Sequence, residues 1–217
     1  MDNLTFALSD VTGGEKKAAT RGRRETRVPE ILEAAIGVFA SQGNGGFTQR
    51  GVASAANIRL ATLQHYFGSR DSLLMATIEE LARRYLHRFH ELAEDAHLTP
   101  EARLQAVLDE TFDALTQPTN LISPFALECW CLAEHHPAVR DVMEGVSEKY
   151  QSLFSTLVTQ INPKLPAAEC RIRGALIYSH WQGLIVFLRR SGSHTPDLSA
   201  FRKATGVLWT ALGKTTS

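Results

Sequence analysis

The chain has 217 residues, with 23 Lys and Arg against 23 Asp and Glu, a formal charge of zero. A chain this long buries roughly 70% of the surface its unfolded form exposes, so it needs neither a metal nor a disulfide framework to hold a core. Its three cysteines, an odd number, fit reduced thiols better than secreted disulfides.

Residues 1 to 15 have no basic run followed by a continuous apolar stretch, as a secretion signal would. The most apolar later stretch, Ala175 to Leu188, is interrupted by Ser179, His180 and Gln182 and falls short of the ~20 apolar residues a membrane span needs. A soluble, cytoplasmic protein with no membrane partner is expected. Charge is unevenly placed. Residues 16 to 70 hold nine basic and three acidic side chains, a local charge of +6, with −3 before them and −3 after them. Residues 1 to 27, which mix Gly, Ser, Thr and charge without periodicity, are expected to form a disordered basic arm.

From residue 28 onward, apolar residues recur at three-and-four spacing and no period-2 strand is evident, so the fold class is all-α. Val28, Ile31, Leu32, Ala35 and Phe39 form one face of a first helix, which the run from Gly43 to Gly46 brings to an end. Two short helices fit between Gln49 and Phe67. A long one follows from about Arg70 to about Asp95, with Leu74, Ile78, Leu81, Tyr85, Phe89 and Leu92 on one stripe. Prolines at 100, 124, 137, 166 and 196 are placed at the first position of five later helices, where a missing N–H costs no hydrogen bond. About nine helices result.

Residues 48 to 67 are the most informative. Thr48 can cap a short helix whose Val52 and Ala53 face inward, and alanine lets a second helix cross close by. Asn57 stands where the tight turn needs a left-handed backbone, which asparagine tolerates well. Ile58, Leu63 and Phe67 pack the next helix inward, leaving Arg59, Ala61, Thr62, Gln64, His65 and Tyr66 on its outer side. A short helix, tight turn and second helix with a polar outer face is a helix-turn-helix suited to the DNA major groove. Gln64 can bond an adenine edge, Thr62 and Ala61 can meet a thymine methyl, and Arg59 can reach guanine or phosphate. Thr48, Gln49, Arg50, His65, Tyr66 and Arg70 complete the expected DNA-contacting set, with donors suited to phosphate oxygens.

Residues 28 to 74, with ILEAAIGVFASQG, then FTQRGVASAANI, then LQHYFGSRDSLL, resemble the N-terminal domain of TetR-family transcriptional repressors. The match rests on Thr48, Val52-Ala53, Ala56, Leu63, Tyr66, Phe67 and Leu73-Leu74. The chain departs from the family pattern at Asn57 for Gly, Arg59 for a capping Ser, Gln64 for Tyr and Arg70 for Lys. The resemblance implies a DNA-binding domain over 28 to 70 and a ligand-binding and dimerisation domain over 71 to 217. It also implies a double-stranded palindromic operator, a homodimer through the last two long helices, and a small organic effector that swings the long fourth helix to end repression. Leu184 and Leu208 are the expected dimer-face positions. No cofactor and no catalysis are implied, and no motif groups a thiolate, a base and an orienting residue.

The C-terminal two thirds are rich in aromatic residues, either core or the wall of a ligand cavity. Phe89, Phe112, Trp130, Tyr178 and Trp181 are the candidate wall. The segment Gln182 to Gly192, with His65-Tyr66-Phe67 and Leu73-Leu74 upstream, is loosely similar to choline-sensing repressors of the glycine-betaine pathway, although Gln182 replaces an Asp of that group. That similarity implies a quaternary ammonium held by aromatic rings with Glu128 or Glu134. Two alternatives stay open: a metal- or redox-responsive sensor built on Cys129, Cys131 and His135, and a ligand-independent architectural DNA binder. Cys129 and Cys131 point to nearly opposite sides of a helix, which makes a shared tetrahedral site difficult. His87, His90, Glu91 and Glu94 read as a solvated helix face.

Overall fold

Four helix starts from residue 48 onward are capped by a side chain, Thr48, Ser69, Thr99 and Asp197 each accepting from a backbone N–H of the first turn. The structure, a computed structural model, describes the backbone of residues 11–215 and the side chains of residues 27–215. These residues form nine α-helices and one 3-10 turn, with no strand among them: α1 Val11–Gly46, α2 Gln49–Ala55, α3 Leu60–Phe67, α4 Arg70–Ala93, α5 Pro100–Thr116, α6 Ile122–Ala133, α7 Pro137–Ile161, α8 Ala167–Arg190 and α9 Leu198–Lys214, the 3-10 turn lying at Gly192–His194. No helix among the described residues is long and apolar enough to cross a membrane.

Two expectations are corrected. Of the arm expected over residues 1 to 27, residues 1–10 lie outside the described residues, and from Val11 the backbone is helical. The stretch Glu15 to Val28 is rich in Lys, Arg, Ala and Glu, which are strong helix formers, and no proline interrupts it. Only two of the five prolines, Pro100 and Pro137, begin their helices as expected. In the other three the start is shifted. Asn120 caps α6, its Oδ1 accepting from the backbone N–H of Ile122 at 2.8 Å, so the helix begins two residues before Pro124. Asp197 caps α9 by accepting from Ala200 N at 2.7 Å, which leaves Pro196 outside. Pro166 is the residue before α8.

The helices enclose two hydrophobic cores. The first gathers Ile31, Ala35, Ile36 and Phe39 of α1, Phe47, Val52 and Ala53 of α2 and its approach, Leu63 of α3, and Leu73, Leu74, Ile78 and Leu81 of α4. It also takes in Phe125 and Cys129 of α6 and Val139 of α7, so packing continues past residue 70. Phe39 stands at its centre, edge-on to Phe47 at 5.6 Å and to Phe125 at 4.9 Å. The second core is built from α4 through α9, from Phe89 to Trp209. Helices α7 and α8 approach closely because Gly174 has no side chain. A Cβ there would stand 2.4 Å from Ser155 Oγ.

One contact between α8 and α9 depends on pH. Trp209 Nε1 donates to His180 Nδ1 at 2.9 Å, which requires that nitrogen to be unprotonated, and burial holds the imidazole below its ordinary value. Because the unfolded chain takes up this proton first, the stability linked to His180 is complete above about pH 6.5 and is lost as pH falls toward the lower folded value. The drop in Tm between pH 7 and pH 5.5 should be smaller in His180→Asn, whose Oδ1 accepts the bond without titrating. An equal drop in both proteins refutes this assignment.

Candidate nucleic-acid interface and cavity

Helices α2 and α3 are joined by a turn that the sequence makes nearly obligatory. Thr48 Oγ1 accepts from Gly51 N at 3.0 Å and caps α2. Val52 and Ala53 are buried. Asn57 has φ 52° and is the only non-glycine residue with positive φ among those described. The turn is closed by Ile58 N donating to Ala53 O at 2.9 Å. In α3 Leu63 is fully buried, and Ile58, Tyr66 and Phe67 pack partly against the same core. Arg59, Ala61, Gln64 and His65 are exposed and Thr62 is half-buried. Thr48 and Arg50 are exposed beside them, with Gln49 half-buried.

The electrostatics of this face are one-sided. No acidic residue occurs between Glu33 and Asp71. Arg59, where a capping residue would stand, makes no side-chain cap bond, so its guanidinium stays near the positive end of the α3 dipole. Gln49 ties the two helices together: its Nε2 donates to Gly68 O at 3.0 Å, and its Oε1 accepts from Gln64 Nε2 at 3.4 Å. This long bond orients the Gln64 amide without tying it down.

Arg70 is placed differently from its expected role toward phosphate. Its Nε donates to Phe47 O at 2.9 Å and its Nη2 to Asn44 O at 2.7 Å, while the guanidinium lies 5.8 Å from the Phe47 ring. It pins the end of α1 to the start of α4. On the other side of the same loop, Glu128 of α6 accepts from Asn44 N at 3.0 Å. Its carboxylate packs where only a glycine fits. A Cβ on Gly43, at φ 64°, would stand 2.9 Å from Glu128 Oε1. Sequence reading missed Asn44 and Glu128 here, because GNGG was legible only as a helix terminator.

The second site is a partly open cavity of about 80 Å³ between α4, α6, α7 and α8. Trp130, Tyr178 and Trp181 line it, as do Tyr85, Phe125, Met143 and Tyr150, which were not singled out from sequence. Phe89 and Phe112 do not line it. Phe89 lies behind the wall, its ring edge-on to Tyr150 at 5.6 Å and to Trp181 at 5.9 Å. Phe112 is buried under Phe201, with the Arg202 guanidinium 5.3 Å from its ring. The spacing of Met143, Val146 and Tyr150 on α7 could have flagged one wall, but a core stripe has the same spacing.

The metal reading fails on geometry. Cys129 is buried, with its thiol pushed well up by burial and the nearby Glu128 charge, whereas Cys131 and His135 are exposed. No group of three potential ligands stands together among the described residues. On α4, His87 pairs with Glu91 at 3.4 Å on an exposed face.

Comparison with known proteins agrees with this geometry. Residues 31–77 match the family described as bacterial regulatory proteins, tetR family. The HTH-type transcriptional regulator BetI of Burkholderia thailandensis is 32% identical over 153 residues, covering 69% of this chain and 75% of the relative. BetI of Paraburkholderia phymatum is 28% identical over 183 residues, covering 84% and 91%. Among solved structures, a TetR transcription regulator from Haloarcula marismortui superposes with a TM-score of 0.72 at 19% identity, covering 86% of this chain and 98% of that one. The fatty acid degradation regulator FadR of Bacillus halodurans does so at 0.68 and 19%, covering 87% and 95%.

Replacing Arg70 by Met keeps the stem but leaves Asn44 O and Phe47 O without their donor. The variant should lose about 1–3 kcal/mol of stability in urea unfolding. A loss within error would show that the guanidinium is not the tie described here.

Proposed function

We propose, from the premise that the chain belongs to the tetR family of bacterial regulatory proteins and is a DNA-binding transcriptional regulator rather than an enzyme, that it is a cytoplasmic homodimeric repressor released from a palindromic operator by a small organic molecule. The observation that carries this reading is the exposed, acid-free face of α2 and α3, set on a turn held by Asn57. Gln64, Thr62 and Ala61 would meet base edges, with Arg59 at a guanine or phosphate. Thr48, Gln49, Arg50, His65 and Tyr66 would set register on the backbone. Arg70 stays in this reading as the residue that ties the end of α1 and the approach to α2 to the start of α4.

The dimer assignment is supported by the apolar residues that α8 and α9 leave exposed: Ile172, Leu176 and Phe187 on α8, Val207 and Leu208 on α9. Of the two positions expected from sequence, Leu208 is on this face. Leu184 is 2% exposed and belongs to the core. An antiparallel pairing of the two helices with their copies would bury this stripe and set two α3 helices at successive major grooves, about 34 Å apart.

The effector reading rests on the cavity's position. Its wall uses Ile78, Leu81, Ala82 and Tyr85 of α4, a few residues beyond the Leu73 and Leu74 that pack under α3. A molecule seated there would part α4 from α6 and turn the reading heads out of step. An architectural binder would have no need of such a cavity.

Gln64→Ala should weaken binding to an operator selected from random duplexes by about 1–3 kcal/mol per half-site and leave binding to unrelated DNA nearly unchanged, whereas Arg50→Ala should weaken both and flatten the salt dependence. Equal losses on both DNAs for Gln64→Ala would remove the base-reading role. Val207 is 72% exposed, so Val207→Glu costs the monomer little. In light scattering it should shift the protein to monomers; an unchanged dimer would relocate the interface.

A further inference from the structure

The cavity between α4, α6, α7 and α8 has no charged side chain in its wall. Burying an ion without a partner is expensive, so the lining constrains what can enter. Its polar groups are few, and most are engaged. The Tyr178 hydroxyl is 3.0 Å from Ser147 Oγ and accepts from Gln182 Nε2 at 3.1 Å. Trp181 Nε1 donates to Thr111 Oγ1 at 3.1 Å. Tyr85 also borders an outer groove with Glu33 and Glu110, and Trp130 is only half-buried. Tyr150 differs from all of these. It is 3% exposed, it borders the cavity, and its hydroxyl has no hydrogen-bond partner among the described residues. Burial keeps that phenol protonated, so it is a neutral donor across the physiological range.

Three of the six aromatic rings in the wall are poorly placed to cage a cation. Tyr150, Tyr178 and Trp181 stack on one another, with centroids 4.8 to 5.8 Å apart and planes within 27°. They therefore cover much of the ring face that a cation would approach. The two carboxylates expected to balance an ammonium are elsewhere. Glu128 is engaged with Asn44, and Glu134 is exposed.

We propose that this cavity takes an uncharged, largely apolar small molecule with one acceptor oxygen, and that the free hydroxyl of Tyr150 binds that oxygen. The inference rests on the effector reading of the same cavity and adds the chemical class of the ligand.

Four probes of similar shape separate the outcomes: acetophenone, its alkene isostere α-methylstyrene, tert-butylbenzene, and the cationic isostere of the last, phenyltrimethylammonium. Calorimetry on the full chain should show acetophenone binding about three- to tenfold more tightly than α-methylstyrene, the value of one hydrogen bond. Phenyltrimethylammonium should bind at least about tenfold more weakly than tert-butylbenzene. In Tyr150→Phe, which keeps the ring, the ketone's advantage over the alkene should vanish while alkene binding persists. Preferential binding of the ammonium, an unchanged ketone-to-alkene ratio in Tyr150→Phe, or no binding of any of the three neutral aromatics would each overturn the proposal. The wild-type comparison decides the question of charge even if the variant folds poorly. Release of labelled operator by acetophenone is read separately, so a cavity that binds the ketone without freeing DNA refutes the effector reading and leaves the ligand chemistry standing.

Discussion

Helix α4 belongs to two hydrophobic cores at once, and the rest of the molecule is arranged around that constraint. Its first half buries Leu73, Leu74, Ile78 and Leu81 among α1, α2 and α3, and its second half buries Phe89 and Ala93 among α5, α7 and α8. Close-packed interiors do not deform smoothly. A shift of α4 at either end must therefore be answered at the other, because a helix transmits displacement along its axis with little loss. Arg84 strengthens the attachment to the first core, pairing with Glu33 of α1 and with Glu80 of its own helix at 2.7 Å. The cavity sits at the changeover, where Ile78, Leu81, Ala82 and Tyr85 pass from one core to the other.

A second connection runs beside the first and is polar. Glu128 stands on α6, one residue from Cys129 in the cavity wall, and holds the Gly43-Asn44 turn; Arg70, at the first residue of α4, holds the other side of that turn. A movement of α6 away from α4 thus pulls on the loop that leads into α2. Each bond in this chain joins a charged group to a backbone or amide group at least partly shielded from water, where such bonds are stronger than neutral ones. The two routes start from different walls of one cavity, and one ends under α3 while the other ends at the loop before α2.

How much of this was legible in sequence depends on whether a residue's role is local. Thr48, Asn57 and the inward Leu63 could be read because a cap, a left-handed turn and a helical face are decided within a few residues. The solvated side of α3 follows from the same periodicity. Prolines misled where a neighbouring Asn120 or Asp197 supplied a better cap, since a side chain that satisfies a free N–H group outweighs a ring that merely tolerates its absence. Arg70 resembled a phosphate ligand by charge and position, and only tertiary packing shows its guanidinium against Phe47 and Asn44. The cavity wall was least accessible, because Phe112 in the core and Tyr150 at the cavity have the same spacing and composition around them. What distinguishes them is which side of the helix has an empty neighbour, and that is a property of four helices together.

The small size of the cavity supports its coupling to α4 and α6. At about 80 Å³ it is roughly half the ~150 Å³ apolar cavity that accommodates a benzene ring. A ring-sized molecule therefore does not fit wholly inside the structure described here without moving its walls, so it favours the form with parted walls. Only the difference between its affinities for the two forms counts toward the shift in population. Moving an equilibrium from 1:99 to 99:1 takes about 5.5 kcal/mol. At roughly 25 cal/mol per Å² this corresponds to about 220 Å² of apolar surface removed from water, close to what one aromatic side chain buries. On the effector reading, a molecule burying one apolar ring would therefore bind with a Kd on the order of 0.1 mM and shift the equilibrium in proportion to its concentration above that value, with no ion pair in the cavity.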